Sequence, residues 1–220
     1  MHEKLPRVIW EEQYGQSEAG NLTIRPSKYS LKKAGSVGKP FSDLDLAIFG
    51  NDNEKLPIGR SGEVVTKGVQ TMMYYYGDPD QTKDVFTSEG WLKTGDIGYF
   101  DEDGFLYLVD RSKDMIISGG ENIFPTEIEN LLYKHPNVSE CAVFGIPDDY
   151  WGESPKAYVV LKEGGSITES ELIDFCRSNI ARYKTPKAIK FVYELPKTAV
   201  GKIQKNILRD PYWIGRERDI

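Results

Sequence analysis

The chain has 220 residues, a net charge of −6 at neutral pH, 39% apolar and 28% charged residues, which leaves room for one large domain or two small ones and excludes a large multidomain enzyme. No apolar run approaches the roughly 20 residues that a membrane span needs, and the start MHEKLPRVIW has no secretory leader pattern. A cytoplasmic globular protein is expected, with no nucleic acid partner and no membrane-spanning segment. Cys141 and Cys176, with only His2 and His135 to join them, cannot assemble a zinc cluster and read as buried thiols.

The first half reads as β structure with many turns. Leu44, Leu46 and Ile48 alternate with other residues, Glu63 to Thr66 is a short β-prone run, and Ile97 to Phe100 faces Phe105 to Val109 across an acidic turn. No segment before residue 110 carries a helical period, and Met72 to Tyr76 reads as ordinary sheet packing. Beyond it, Asp114 to Ser118 is a strand candidate. Pro125 stands at a first helical position, with Ile128, Leu131 and Leu132 on one face. Two buried strands are expected, Ser139 to Ile146 stopped by Pro147, and Ala157 to Leu161. Thr168 and Glu171 form a capping-box pattern ahead of Leu172, Phe175, Cys176 and Ile180. Ala188 to Tyr193 reads as a strand, Lys197 to Gly201 as a polar loop and Ile203 to Leu208 as a short helix.

The acidity sits entirely in residues 1–110, with 12 Lys/Arg against 18 Asp/Glu; residues 111–220 hold 16 of each. Within that neutral half, Arg182 to Arg209 carries eight cations against Glu194 alone, a face that suits an anion. Gly35 to Lys39 lacks the spacing and the Ser/Thr of a phosphate loop and reads as a turn. What remains is an ordered series of polar clusters: Tyr14-Gly15-Gln16-Ser17-Glu18, Gly62-Glu63, Trp91-x-x-Thr94-Gly95-Asp96, Asp110-Arg111-Ser112-Lys113-Asp114, Ser118-Gly119-Gly120-Glu121-Asn122, and Pro196 to Lys202. Singly, Tyr14 reads as core packing, Asp96 as a turn residue, Lys202 as a surface lysine and the basic stretch as a solvated face. Their joint order outweighs those readings.

The series resembles the C-terminal part of AMP-forming acyl-CoA synthetases, in the adenylate-forming superfamily, from about Tyr14 to Arg209. The stretch Arg111 to Glu129 is more similar to synthetases of fatty or aryl acids than to luciferases or peptide-synthetase domains. Tyr74 stands where the family usually has glycine, and Ile117 where luciferase-like members have lysine.

The resemblance implies an α+β fold. Residues 1–110 would be a β-rich remnant of a truncated large AMP-binding domain, and 111–220 a small mobile α+β domain. It implies ligation of a carboxylic acid to coenzyme A through an acyl-adenylate, with ATP/AMP, Mg²⁺ and CoA bound. Tyr14 would stack on adenine, Ser17 would bond phosphate, Glu18 would hold Mg²⁺, and Asp96 would accept the ribose hydroxyls. Arg111 supplies a planar cation for ribose or phosphate. Lys202 would bridge the attacking carboxylate and the α-phosphate as charge builds there. Lys113 matches the family's hinge, and Gly119, Gly120 and Glu121 the loop along the pantetheine path. The alternative is a non-catalytic nucleotide-binding or docking module that complements a separate N-terminal partner.

Overall fold

A computed structural model describes residues 8, 10–41, 43–216 and 218. The chain divides into two compact units, Met1–Val109 and Asp110–Ile220. Both mix sheet and helix and are rich in strands, as an α+β class requires.

The first unit is built on strands β1 (Glu11–Gln16), β2 (Gly20–Pro26), β3 (Ser36–Pro40), β4 (Leu44–Phe49), β5 (Gly62–Gly68), β6 (Leu92–Phe100) and β7 (Leu106–Arg111). Their spatial order is β1-β2-β3-β7-β6-β5-β4. The acidic turn does what its residues suit it for. Asp101 Oδ1 accepts the amides of Asp103 and Phe105, and Gly104 closes the turn onto the Asp101 carbonyl. The sheet buries Leu22, Val64, Leu92 and Leu106 completely or nearly so.

Two expectations for this half are corrected. A helix does precede residue 110: α1 (Pro79–Val85) starts at Asp78, whose side chain accepts the Gln81 amide, with Pro79 in the first turn. It buries no residue, so it has no apolar stripe for a periodicity argument to find, and its only signal is the Asp-Pro cap. Met72 to Tyr76 is loop and not sheet; Met73, Tyr74 and Tyr76 are 82%, 60% and 98% exposed.

In the second unit β8 (Ile116–Ser118), β9 (Glu121–Ile123), β10 (Val138–Asp148), β11 (Gly152–Leu161) and β12 (Ala188–Phe191) form one sheet, ordered β10-β11-β8-β9 with β12 parallel to β11. The expected strands are present, with β10 and β11 longer and β8 and β12 shorter than expected. Pro147 does not stop β10, which continues to Asp148 and pairs Pro147 with Glu153. An edge strand tolerates a residue with no N–H to give. The open edge of β10 is covered from α2 (Pro125–Leu132): the Val143 amide donates to Glu129 Oε1 at 2.7 Å and the Cys141 amide to the Tyr133 hydroxyl.

Ile128 and Leu132 of α2 and Leu172 and Cys176 of α3 (Glu169–Asn179) pack with Val143 and Val159 in one core. Both cysteines are buried and free. Burial pushes the Cys141 thiol up to about 12 and that of Cys176 to about 11. After β12 come α4 (Lys205–Arg209) and a 3₁₀ turn, Asp210–Tyr212.

The capping box is complete: Thr168 Oγ1 accepts the Glu171 amide and Glu171 Oε2 accepts the Thr168 amide. Thr168→Ala should cost about 1 kcal/mol of unfolding free energy, against a few tenths for Thr168→Ser. The bonds from Thr168 lower the Glu171 carboxyl pKa, so this contribution is present above the ordinary carboxylate range and fades as pH falls through it. Urea unfolding at neutral and acid pH measures both. An unchanged midpoint for Thr168→Ala would show that the box carries no stability.

Candidate functional site

Thr94-Gly95-Asp96 sits on a bulge of β6. The register between β5 and β6 shifts between Glu63 and Val65, leaving three residues of β6 opposite Val64, and Gly95 takes φ of +73° to absorb the two extra residues. Thr94 Oγ1 donates to the Val64 carbonyl at 2.8 Å and accepts the Asp96 amide at 3.1 Å. The bulge therefore holds Asp96 by its backbone, 7% exposed. Tyr14 reaches it from β1, 82 residues away, and its hydroxyl donates to Asp96 Oδ2 at 2.6 Å.

Glu18 is half-buried and its Oε1 accepts the Tyr75 hydroxyl at 2.9 Å, while the Met72 amide donates to the Glu18 carbonyl at 2.7 Å. Ser17 beside it is exposed. Tyr75 is thus a partner of this site that the apolar look of Met72 to Tyr76 concealed. Glu63 is a second residue without an assigned role. Burial pushes its carboxyl up against the pull of Lys93, and the neighbouring Asp96 charge adds to the rise.

The remaining candidates lie in the second unit. Arg111 is exposed at the end of β7, and Ser112–Asp114 form one turn of 3₁₀ helix. The Lys113 carbonyl accepts from Arg209 Nη1 at 3.0 Å and Arg218 Nη1 at 2.6 Å. Arg218 also forms a forked pair with Glu153, at 2.8 and 3.1 Å, and Glu153 is only 5% exposed. Gly119 and Gly120 form the turn between β8 and β9, where Ser118 faces Glu121. Gly119 makes room for an aromatic ring: a Cβ there would lie 2.6 Å from Trp151 Cε3.

This turn opens on a cavity of about 770 Å³, lined by Ser118, Gly119, Glu121, Trp151, Thr185 and Lys187 among others. The Thr185 hydroxyl is buried without a hydrogen-bond partner among the described residues. No single pattern in residues 150–187 marked this cavity, because its wall comes from four separate segments.

Lys202 is exposed on a closed loop. Thr198 donates its amide to the Lys202 carbonyl at 2.8 Å and accepts the Lys202 amide on Oγ1 at 3.1 Å, and the Gln204 amide donates to the Pro196 carbonyl at 2.8 Å. The candidates therefore fall into two sets: Tyr14, Ser17, Glu18 and Asp96 in one unit, and Arg111, Lys113, Gly119, Gly120, Glu121 and Lys202 in the other.

Two family models match: AMP-binding enzyme over residues 1–76 and AMP-binding enzyme C-terminal domain over residues 127–202. The chain belongs to the AMP-binding, adenylate-forming enzyme family. Its relatives there include acid–CoA ligases. The long-chain-fatty-acid–CoA ligase of Bacillus subtilis (strain 168) is 47% identical over 198 residues, which is 90% of this chain and 35% of that protein. The 2-succinylbenzoate–CoA ligase of Bacillus licheniformis is 45% identical over 207 residues, 93% of this chain and 42% of that one. Among solved structures, o-succinylbenzoate CoA synthetase from Bacillus subtilis in complex with the acyl-adenylate intermediate aligns with TM-score 0.81 at 37% identity, covering 94% of this chain and 43% of its own. The chain thus spans roughly two fifths of the length of these relatives. No helix among the described residues is long and apolar enough to cross a membrane.

Proposed function

We propose that the chain supplies the nucleotide-holding strand edge and the mobile domain of an AMP-forming acid–CoA ligase, which joins a carboxylic acid to CoA through an acyl-adenylate. The observation that carries this reading is the Tyr14 hydroxyl on the Asp96 carboxylate at 2.6 Å. It sets an aromatic ring beside a fixed carboxylate, where Asp96 would accept the ribose hydroxyls and Tyr14 would lie beside the base. Ser17 would then meet phosphate oxygens.

Glu18 gives one carboxylate near the phosphates. It would help hold Mg²⁺, whose other ligands would be phosphate oxygens and water.

In the second unit, Arg111 would bond ribose or phosphate, Lys113 would serve as the hinge, and Lys202 would neutralise charge at the α-phosphate during adenylation. CoA suits the cavity beside Gly119, Gly120 and Glu121. Its phosphates would be complementary to Arg182 and Lys187 on the cavity lining. The acid itself belongs to the fatty or aryl class that the relatives' names share.

The test joins this sequence to the N-terminal portion of a related ligase and follows acid-dependent ATP–pyrophosphate exchange. Exchange is expected. Asp96→Ala should raise KM for ATP by about 10- to 100-fold with a smaller change in kcat, because a ribose contact is made equally in ground and transition states. An unchanged KM would remove Asp96 from the nucleotide site.

A further inference from the structure

The loop that carries Lys202 is stiff within itself but hangs between two flanks. On one side Lys197 pairs with Glu140 at 2.6 Å, with side chains 39% and 33% exposed, an arrangement that water screens heavily. On the other side Lys205 pairs with Glu129 at 2.8 Å, and these side chains are 15% and 14% exposed. The same Glu129 oxygen accepts the Val143 amide at 2.7 Å, so the carboxylate is fixed on the edge of β10 before the lysine reaches it. Burial pushes the Glu129 carboxyl up, Lys205 and the Val143 amide pull it back, and the Asp110 carboxylate adds to the rise. A lysine in the first turn of α4 does nothing for that helix, whose exposed N–H groups favour anions. Its position is explained by Glu129 instead.

The geometry points to Glu129 and Lys205 as the positioning pair for Lys202: their half-buried ion pair clamps the foot of the Pro196–Gln204 loop to β10 and so aims the Lys202 ammonium. This rests on the reading of Lys202 as the adenylation lysine. Ile203 packs on the Ala142, Phe144 and Leu195 cluster, which holds the loop down but leaves it free to rock about that contact. The ion pair three residues beyond Lys202 supplies the second point that fixes its direction, and a misplacement of about 1 Å is enough to cost roughly 100-fold in rate.

Two measurements test this. In the 220-residue chain, hydrogen exchange at the Thr198, Gly201 and Gln204 amides should quicken by about 10-fold or more in Lys205→Met and Glu129→Gln, while Ala157 and Val159 in β11 keep their protection. Lys205→Arg should restore the loop. Unchanged loop exchange overturns the clamp, and equal loss of protection in β11 overturns it too, since the pair would then hold the whole unit. In the joined ligase, Lys205→Met should lower kcat for acyl-AMP formation by about 10- to 100-fold at unchanged KM for ATP, with recovery in Lys205→Arg. Faster loop exchange with unchanged kcat overturns the positioning role. If Lys202→Ala itself spares acyl-AMP formation, the proposal fails through Lys202, and the exchange data alone still report whether the loop is anchored.

Discussion

Lys202→Ala is expected to slow acyl-AMP formation by at least about 100-fold in a ligase completed with an N-terminal portion, the usual scale for losing one preorganised electrostatic group. It should leave the attack of CoA on supplied acyl-AMP within about 3-fold, since an interaction absent from a step cannot change it. The loop suits such a division. Thr198 and Gln204 close it through backbone bonds, so removing the Lys202 side chain takes away a charge and leaves the fold. Lys202 is exposed and makes no ion pair with any described residue, so its charge is available to a ligand. Pyrophosphate exchange reads the first step and CoA consumption from preformed acyl-AMP reads the second. Equal slowing of both would mean that the lysine acts on the fold and not on the α-phosphate.

The largest stability change is expected at Gly38→Ala. Gly38 lies on a bulge of β3 facing β7, with φ of +109°, and a Cβ there would sit 2.2 Å from the Ile24 carbonyl carbon and oxygen. Those are backbone atoms of the neighbouring strand, so no rotamer change relieves the overlap. β2 and β3 must part, and with them the bond from Thr23 Oγ1 to the Val37 carbonyl at 2.6 Å. Strained φ and steric overlap together should cost about 3 kcal/mol or more. At the scale of a unit this size, that lowers its melting temperature by about 12 to 24 °C. Thermal unfolding followed by circular dichroism measures it. A shift of only a few degrees would mean that the strands accommodate the methyl group.

The sites legible in the sequence were those whose chemistry lies in adjacent residues. Thr94-Gly95-Asp96 announced a turn carboxylate, and Thr168 to Glu171 announced a helix start, because each motif closes its own hydrogen bonds within three residues. The strands of β10 and β11 showed as apolar runs, but their ends did not, since Pro147 is permitted by an edge position that only the sheet order reveals. Tyr75, Glu129 and Lys205 stayed hidden for a different reason. Their partners Glu18, Val143 and Glu129 are 57, 14 and 76 residues away, and no local pattern distinguishes a half-buried ion pair from two surface charges. The same limit applied to the cavity beside Gly119, whose wall is assembled by folding alone.

The grip of Arg209 and Arg218 on the Lys113 carbonyl has a torsional meaning. A carbonyl oxygen lies in the rigid peptide plane that joins its residue to the next, so these two guanidinium groups bind the plane between Lys113 and Asp114 to the body of the second unit. Arg218 is itself fixed by Glu153 and by the Met115 carbonyl, and Asp114 is held by Arg209. The first single bonds on the N-terminal side of that plane are the ψ and φ bonds of Lys113 itself, inside the turn that the Met115 amide closes onto the Arg111 and Ser112 carbonyls. Any reorientation that passes through this connection therefore turns about the Cα of Lys113 or the residues before it, while the plane that follows travels as a fixed part of the second unit.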